Sequence, residues 1–553
     1  MQFELRRSKE AKKWGKWTLY LLGNDIACRD IAKSLHDEEI KMGSSNQNGN
    51  VMMQHSTRRR DKEVPGSFML KDPIGKVIAR LVLPSVLSMT FSTVYMLICW
   101  FLVRKDIDIP NSETTDTLSL LAIASPLEQL LYHTFPALVG AGTSVLVSRL
   151  VGEGLFQDCN HVAGNTLVLQ LFLSLLSIIV YPKTLFLVCS PFFSSSSIQV
   201  ILPYLRALLW GSPIAFLSTS INALMRGQGA AGPQCYISIA STFCHLLLDI
   251  YFIHFRKEGF VGLAYASTAA SLVSCVLSLL YLGSDRSVIR LSKSNYRLRW
   301  RLCKQIFIAG VPGLVSTICP SVMSLFRTRL LMYLLRDKPV REIDMAISVF
   351  NSVQTTYFIG LMPLIALTQG VGPIFAYAFG AKKNQRFREC GKVLFRVQCV
   401  WVGIAVAGFF VSSHQFALWF SSDPVYCSLF ESTLRIFSSS LLAYPVIMTL
   451  FPMLQTTGHG ALAGLLLAMN ECIVIIPFQF LLGMYWKENP YTGFVVAYPV
   501  NAVCCMFIAL LLGWRPLRSI FHSQPLYRES ISSIEMFYWC LLEQVKIWDN
   551  KNN

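Results

Sequence analysis

The chain has 553 residues, of which 53% are hydrophobic and 15% charged, and its mean hydropathy is +0.46. This is not the composition of a soluble protein, and apolar runs of about 20 residues, long enough to cross a bilayer, recur from residue 77 to residue 514. The net charge of +17 gathers in connections on one side of those runs, as the positive-inside rule requires, so it calls for no nucleic-acid partner.

In chain order, residues 1–76 form a polar, cytoplasmic N-terminal tail with no secretory signal in view. Lys12 to Tyr20 mixes basic and aromatic residues suited to a membrane surface. Residues 43–66 are rich in Gly, Ser, Asn and Arg and read as linker. About twelve spans follow, at 77–102, 118–147, 161–181, 203–225, 233–254, 260–282, 303–334, 345–378, 393–413, 434–455, 460–485 and 492–514. The stretch 285–302, DRSVIRLSKSNYRLRWRL, is basic and contains no spanning run, which makes it a cytoplasmic linker. The tail 515–553 is cytoplasmic too, with helical apolar spacing from Ile531 to Trp548. An even number of spans puts both termini in the cytoplasm. The 16 cysteines are scattered through apolar runs with no CxxC, and read as small buried hydrophobes.

The chain is internally duplicated. Leu83-Pro84-Ser85 returns as Val311-Pro312-Gly313, and the Gly142/Gly152 pair returns as Gly370/Gly380, both at an offset of 228. The turn Arg226-Gly227-Gln228-Gly229 returns at 229 as Gln455-Thr456-Thr457-Gly458. The expected architecture is therefore all-α and integral to the membrane. It has two six-helix lobes, 77–284 and 303–514, related by a pseudo-two-fold axis along the membrane normal. A cleft between such lobes suits alternating access, and with no phosphate loop present, any pumping must draw on an ion gradient.

Ionisable residues inside spans are costly and mark function. Asp249 lies deep in the fifth span, with His245 one turn earlier on the same face. A desolvated carboxylate can exchange a proton near neutrality, or hold Na⁺ with neighbouring oxygens. The rival reading is a neutral, hydrogen-bonded structural pair. Glu128 stands about ten residues into the second span, roughly 15 Å deep. Glu471, beside Asn470, is the clearest acid in the second lobe, where the repeat puts Phe478 opposite Asp249. Asp249, Glu128, His245 and Glu471 are thus the candidates for cation coupling. Tyr95, Tyr132, His133, Gln354 and Tyr357 are candidates to line a cavity for a flat organic cation, although each is as readily a packing residue. Arg327 and Arg329 are expected near the outer end of the seventh span, snorkelling to the interface.

Five stretches carry a resemblance to a known family: LPSVLSMTFSTVY from 83, GAGTSVLVSRLVGEG from 140, residues 204–253 with the RGQG turn, MPLIALTQGVGPIFAYAFGAKK from 362, and MLQTTGHG from 453. In these the chain resembles the MATE family (multidrug and toxic compound extrusion) over about residues 77–514. The resemblance implies efflux of small organic, often cationic, compounds in exchange for H⁺ or Na⁺, with no enzymatic chemistry and no other cofactor. Where many relatives have Asn-x-x-x-Asp in the fifth helix, this chain keeps Asp249 but has His245 in place of the Asn. The acid that relatives carry late in helix one is replaced after Tyr95-Met96-Leu97-Ile98 by Cys99, and the helix-seven glutamate is absent around Thr317, Cys319 and Pro320. The alternatives are a lipid-linked sugar flippase of the same superfamily and a non-coupled channel or receptor-like relative. A monomer in the plasma membrane or an organelle membrane is expected.

Overall fold

The computed structural model describes residues 68–106, 124–189 and 195–522. The chain divides into the units Met1–Lys71 and Asp72–Asn553. Of the first, only the helical turn Phe68–Lys71 is described. The basic-aromatic stretch at 12–20 and the amphipathic stretch at 531–548 lie outside the described residues.

Among the described residues twelve helices are long and apolar enough to cross a membrane. They are α1 (Ile74–Met96, within a helix that runs to Asp106), α2 (Ala124–Glu153), α3 (Phe156–Tyr181), α4 (Ile201–Gly227), α5 (Ala231–Phe255) and α6 (Gly259–Gly283), then α7 (Trp300–Leu334), α8 (Val340–Gly380), α9 (Asn384–Leu418), α10 (Pro424–Thr456), α11 (Gly460–Tyr485) and α12 (Pro490–Arg518). No cysteine pairs with another among the described residues. α7 begins at Trp300, so the last residues of the expected linker are already helical: with no proline or glycine between Trp300 and the apolar run, nothing stops the helix sooner.

The duplication is visible in the turns. After α2, Gly154 has φ +79° and the Leu155 N–H donates to the Leu150 carbonyl at 2.9 Å. At the equivalent place after α8, Lys382 has φ +54° and the Lys383 N–H reaches the Ala378 carbonyl at 2.9 Å. Gly229 and Gly458 (φ +84° and +90°) cap α4 and α10 in the same way, through Ala230 N–H to Met225 and His459 N–H to Leu454. A left-handed residue lets the chain turn back while satisfying carbonyls that the helix end would leave unpaired.

The lobes meet through backbone. A Cβ on Gly152 would collide with the carbonyl of Tyr377, and one on Gly380 with the carbonyl of Arg149. Adding 228 to Gly152 and subtracting it from Tyr377 gives the second pair, Gly380 and Arg149, with the lobes exchanged, as a two-fold axis between α2 and α8 demands. Gly142 against Gly310 and Gly370 against Val82 form a second exchanged set, joining α2 to α7 and α8 to α1. With little hydrophobic drive between helices in lipid, such close approach is what holds spans together. The face of the molecule where α2 and α8 end also carries the segment between α6 and α7, and is called the linker face below. There Asn165 accepts from the Arg299 N–H (2.7 Å) and donates to the Arg297 carbonyl (3.1 Å), Gln228 accepts from the Val288 N–H (2.9 Å), and Asn160 accepts from the Arg290 N–H (2.7 Å). The segment is strapped to the first lobe.

Gly152→Val and Gly380→Val are each expected to destabilise the protein by about 1–3 kcal/mol through overpacking. At Gly403 in α9 a methyl meets open space, so Gly403→Ala should be neutral or stabilising by up to about 1 kcal/mol. Thermal denaturation of the purified protein checks both.

Candidate functional site

Each of the three candidate acids stands at a π-helical segment. Glu128 immediately precedes Gln129–His133, Asp249 immediately precedes Ile250–Phe255, and Glu471 lies within Met469–Ile473. The wider turn displaces backbone hydrogen bonds and re-aims side chains, and such segments gather at functional sites. Among the described residues no other π segments occur.

Asp249 is fully buried. The Tyr95 hydroxyl, reaching across from α1, donates to its Oδ2 at 2.8 Å and lies 3.2 Å from His245 Nε2. One hydroxyl has one proton to give, so His245 serves Tyr95 as the Nε2–H tautomer and the order of donation is His245 to Tyr95 to Asp249. The Tyr95 and His245 rings stack at 4.8 Å between centroids, which fixes both. Asp249 Oδ1, 3.8 Å from His245 Nε2, has no hydrogen-bond partner among the described residues. A buried carboxylate oxygen with an open acceptor is a place for a proton or a cation.

Glu128 makes a second cluster. Tyr204 of α4 donates to its Oε2 at 2.8 Å, and His133 Nε2 is 3.8 Å from its Oε1. Cys99, one turn beyond Tyr95, packs against the side chains around Tyr132 and Tyr204, and the charges of Glu128 and His245 are within range of each other. The two acids thus share one region of the first lobe. His133 is half exposed, whereas Tyr132 is buried edge-on to Phe216 in the packed cluster of the first lobe.

In the second lobe Glu471 accepts from Asn470 Nδ2 at 2.9 Å, and Asn501 donates to the Asn470 carbonyl at 2.9 Å. Tyr357 is buried, bonded to Ser440 at 2.9 Å and edge-on to Phe437, so it too is a core residue. Gln354 accepts from Arg327 Nη1 at 2.6 Å. This corrects the expectation that Arg327 snorkels: its guanidinium lies over the rings of Phe350 and Tyr498 and near the charge of Glu471, because an aromatic and amide lining compensates it better than a longer reach to water. Tyr204 is the residue that sequence reasoning missed, and Arg327 the one it misplaced. Arg327 had a usable signal, since subtracting 228 gives Cys99, the position beside both first-lobe acids.

A model of the MatE family matches the chain twice, over residues 84–251 and 314–481. The multidrug export protein MepA of Staphylococcus haemolyticus (strain JCSC1435) is 21% identical over 449 residues, which are 80% of this chain and 94% of that protein. MepA of Staphylococcus saprophyticus is 24% identical over 68% of this chain and 81% of its own. The fold is that of a multidrug resistance MATE family transporter of the MOP superfamily solved in an outward-facing conformation, with TM-score 0.75 and 20% identity over 83% of this chain and 99% of that one. A MOP superfamily transporter from Pyrococcus furiosus, described as having a binding pocket of reversed polarity that suggests a different function, superposes over the same shares with TM-score 0.75 at 19% identity.

Glu128→Gln and Tyr204→Phe should be coupled by about 1 kcal/mol or more, as for a hydrogen bond to a charged group. Glu128→Gln with Gln354→Ala, in the other lobe, should be additive to within about 0.5 kcal/mol. A double-mutant cycle of stability measurements separates the two cases.

Proposed function

The chain belongs to the MatE family of membrane transporters, and from that premise we propose that it exports small organic compounds, cationic ones by preference, in antiport with H⁺ by alternating access. The observation that carries this is Asp249: a fully buried carboxylate with one oxygen held by Tyr95 and the other open. The export role is supported by the MepA relatives, whose names describe multidrug export. A cationic cargo suits a lobe with two buried or half-buried acids, Asp249 and Glu128, and no buried cation among the residues bonded to them.

Of the two candidate ions the proton fits the chemistry better. Asp249 is surrounded by a phenol, an imidazole and a thiol, groups that pass or accept protons, whereas Na⁺ seeks a cage of oxygens. In the proposed cycle a proton entering from the face opposite the linker neutralises Asp249, with Glu128 as second acceptor, and loosens a cationic cargo. Loss of that proton on the linker side restores the charge. His245 holds Tyr95 in line, and His133 sits at the exposed edge of the Glu128 cluster. Glu471 is a weaker candidate, because Asn470 and Arg327 already serve it. We further propose lobes of 77–284 and 303–514 joined by the cytoplasmic linker 285–302, with both tails in the cytoplasm and a monomer as the working unit.

The test is efflux of a fluorescent organic cation from liposomes under an imposed pH gradient or an imposed Na⁺ gradient. A pH gradient should drive transport and a Na⁺ gradient should not. Asp249→Asn should slow it at least about tenfold, with a smaller loss for Glu128→Gln. Transport by neither gradient, with the protein folded, would end the organic-cation reading.

A further inference from the structure

The second lobe has a charged recess that the transport reading leaves unused. It lies on the face opposite the linker, where α9 ends and α10 begins, with a volume of about 430 Å³ lined by His414, Leu418, Ser428, Glu431, Ser432 and Arg435. Glu431 is its centre. His414 Nδ1 is 2.8 Å from Oε1, and Arg435 Nη2 donates to Oε2 at 3.1 Å. Arg435 is steadied from below by Ser413 Oγ, to which Nε and Nη2 donate at 3.2 and 3.0 Å.

The recess opens sideways. On α10 the side chains of Tyr426, Phe430, Leu434 and Phe437 fill the lobe core, while Ser428, Ser432 and Arg435 form an exposed stripe on the other side. The exposed neighbours of that stripe are apolar, Val411 at 81%, Trp419 at 69% and Leu442 at 62%, which is the surface a span turns to lipid. The lobes meet chiefly through α1, α2, α7 and α8; α10 reaches the first lobe only with its later part, Tyr444–Thr456, well beyond the recess. Arg435 is about 16 Å along the helix from Pro424, and its side chain rises back towards Glu431. The charged atoms therefore fall at the boundary between hydrocarbon and headgroups, with Trp419 at the level where indoles collect.

The charges select the occupant. Arg435 offers donors suited to a phosphodiester, while His414 gives its Nδ1–H to Glu431 and holds that carboxylate in place. Glu431 offers an acceptor that repels a purely anionic headgroup and that a quaternary ammonium, having no N–H, cannot hydrogen-bond. A headgroup with a phosphodiester and a primary ammonium satisfies both. The first lobe supplies the contrast: Arg206, 229 residues before Arg435, is likewise exposed, but Leu202 stands where Glu431 does. The arginine is common to both lobes, and the acid beside it belongs to the second.

We propose that this recess binds a bilayer phospholipid by a zwitterionic, primary-amine headgroup, with the phosphodiester on Arg435 and the ammonium on Glu431. Such a lipid would cover the polar stripe and lay its chains along Val411 and Leu442.

The full chain in nanodiscs of equal phosphatidylethanolamine, phosphatidylcholine and phosphatidylglycerol tests this, with retained lipid quantified by mass spectrometry after stripping of bulk lipid. Phosphatidylethanolamine should be retained over phosphatidylcholine about threefold or more. Glu431→Gln should return that ratio to the bulk value, Arg435→Gln should reduce retention of both lipids, and Arg206→Gln should leave the ratio unchanged. Ser428→Ala, which keeps the three charged groups, should weaken retention without altering the ratio and guards against misfolding of the charge variants. A bulk ratio in the wild type, or preference for phosphatidylglycerol, would overturn the proposal. So would a stable dimer that Arg435→Gln dissociates with no lipid retained, which would give this face to a second copy of the chain.

Discussion

The protein depends on backbone meeting backbone where glycine allows it. Gly152 against Tyr377 and Gly380 against Arg149 are one contact seen from both sides of a two-fold axis, and Gly142–Gly310 with Gly370–Val82 is another. In a bilayer, lipid tails solvate an apolar helix face as well as another helix does, so lobes adhere by close van der Waals fit rather than by hydrophobic expulsion. The first set lies at the ends of α2 and α8 on the linker face, and the second lies deeper along the same helices. The linker is fastened to the first lobe alone, through Asn160, Asn165 and Gln228. The lobes thus meet along α1 and α2 on one side and α7 and α8 on the other, the helices that flank the axis about which such lobes rock.

Against that symmetric frame the polar chemistry is unequal. All three membrane acids sit at π segments, where the helix has already given up regular hydrogen bonding and can set a carboxylate at an unusual angle. Around Asp249 and Glu128 the partners are hydroxyls and imidazoles, which adjust to either protonation state. The Glu471 partners include an amide chain through Asn470 and Asn501 and the nearby guanidinium of Arg327. The first environment is built of groups that can both give and accept a proton, whereas the second is built of amides and a guanidinium.

How much of this the sequence discloses varies with the physics involved. Spans are legible because crossing hydrocarbon demands a long apolar run, and the duplication is legible because glycines and prolines at turns and close approaches tolerate few replacements. Asp249 and Glu128 stand out because an acid in such a run is rare. Their partners are less visible. Tyr204 lies 76 residues from Glu128, and nothing local distinguishes it from a packing tyrosine. Tyr132 and Tyr357 show the converse: aromatic residues in a span read equally well as cavity wall or core, and helical phase against neighbours, which one sequence does not supply, put both in cores. The π segments leave no sequence mark at all, since they arise from packing.

The two repeats can be compared at a single position. Residue 99 in the first and 327 in the second are related by the same 228 that relates the glycine contacts. In the first lobe that position holds a thiol near two acids; in the second it holds an arginine near one. A lobe whose carboxylates lack a resident cation must take one from outside whenever they ionise, because an uncompensated charge in low dielectric is costly. In the second lobe a guanidinium is built in at that position, over Phe350 and Tyr498 and bonded to Gln354. On the antiport reading proposed above, this one position is where the two repeats would differ in their need for a mobile cation.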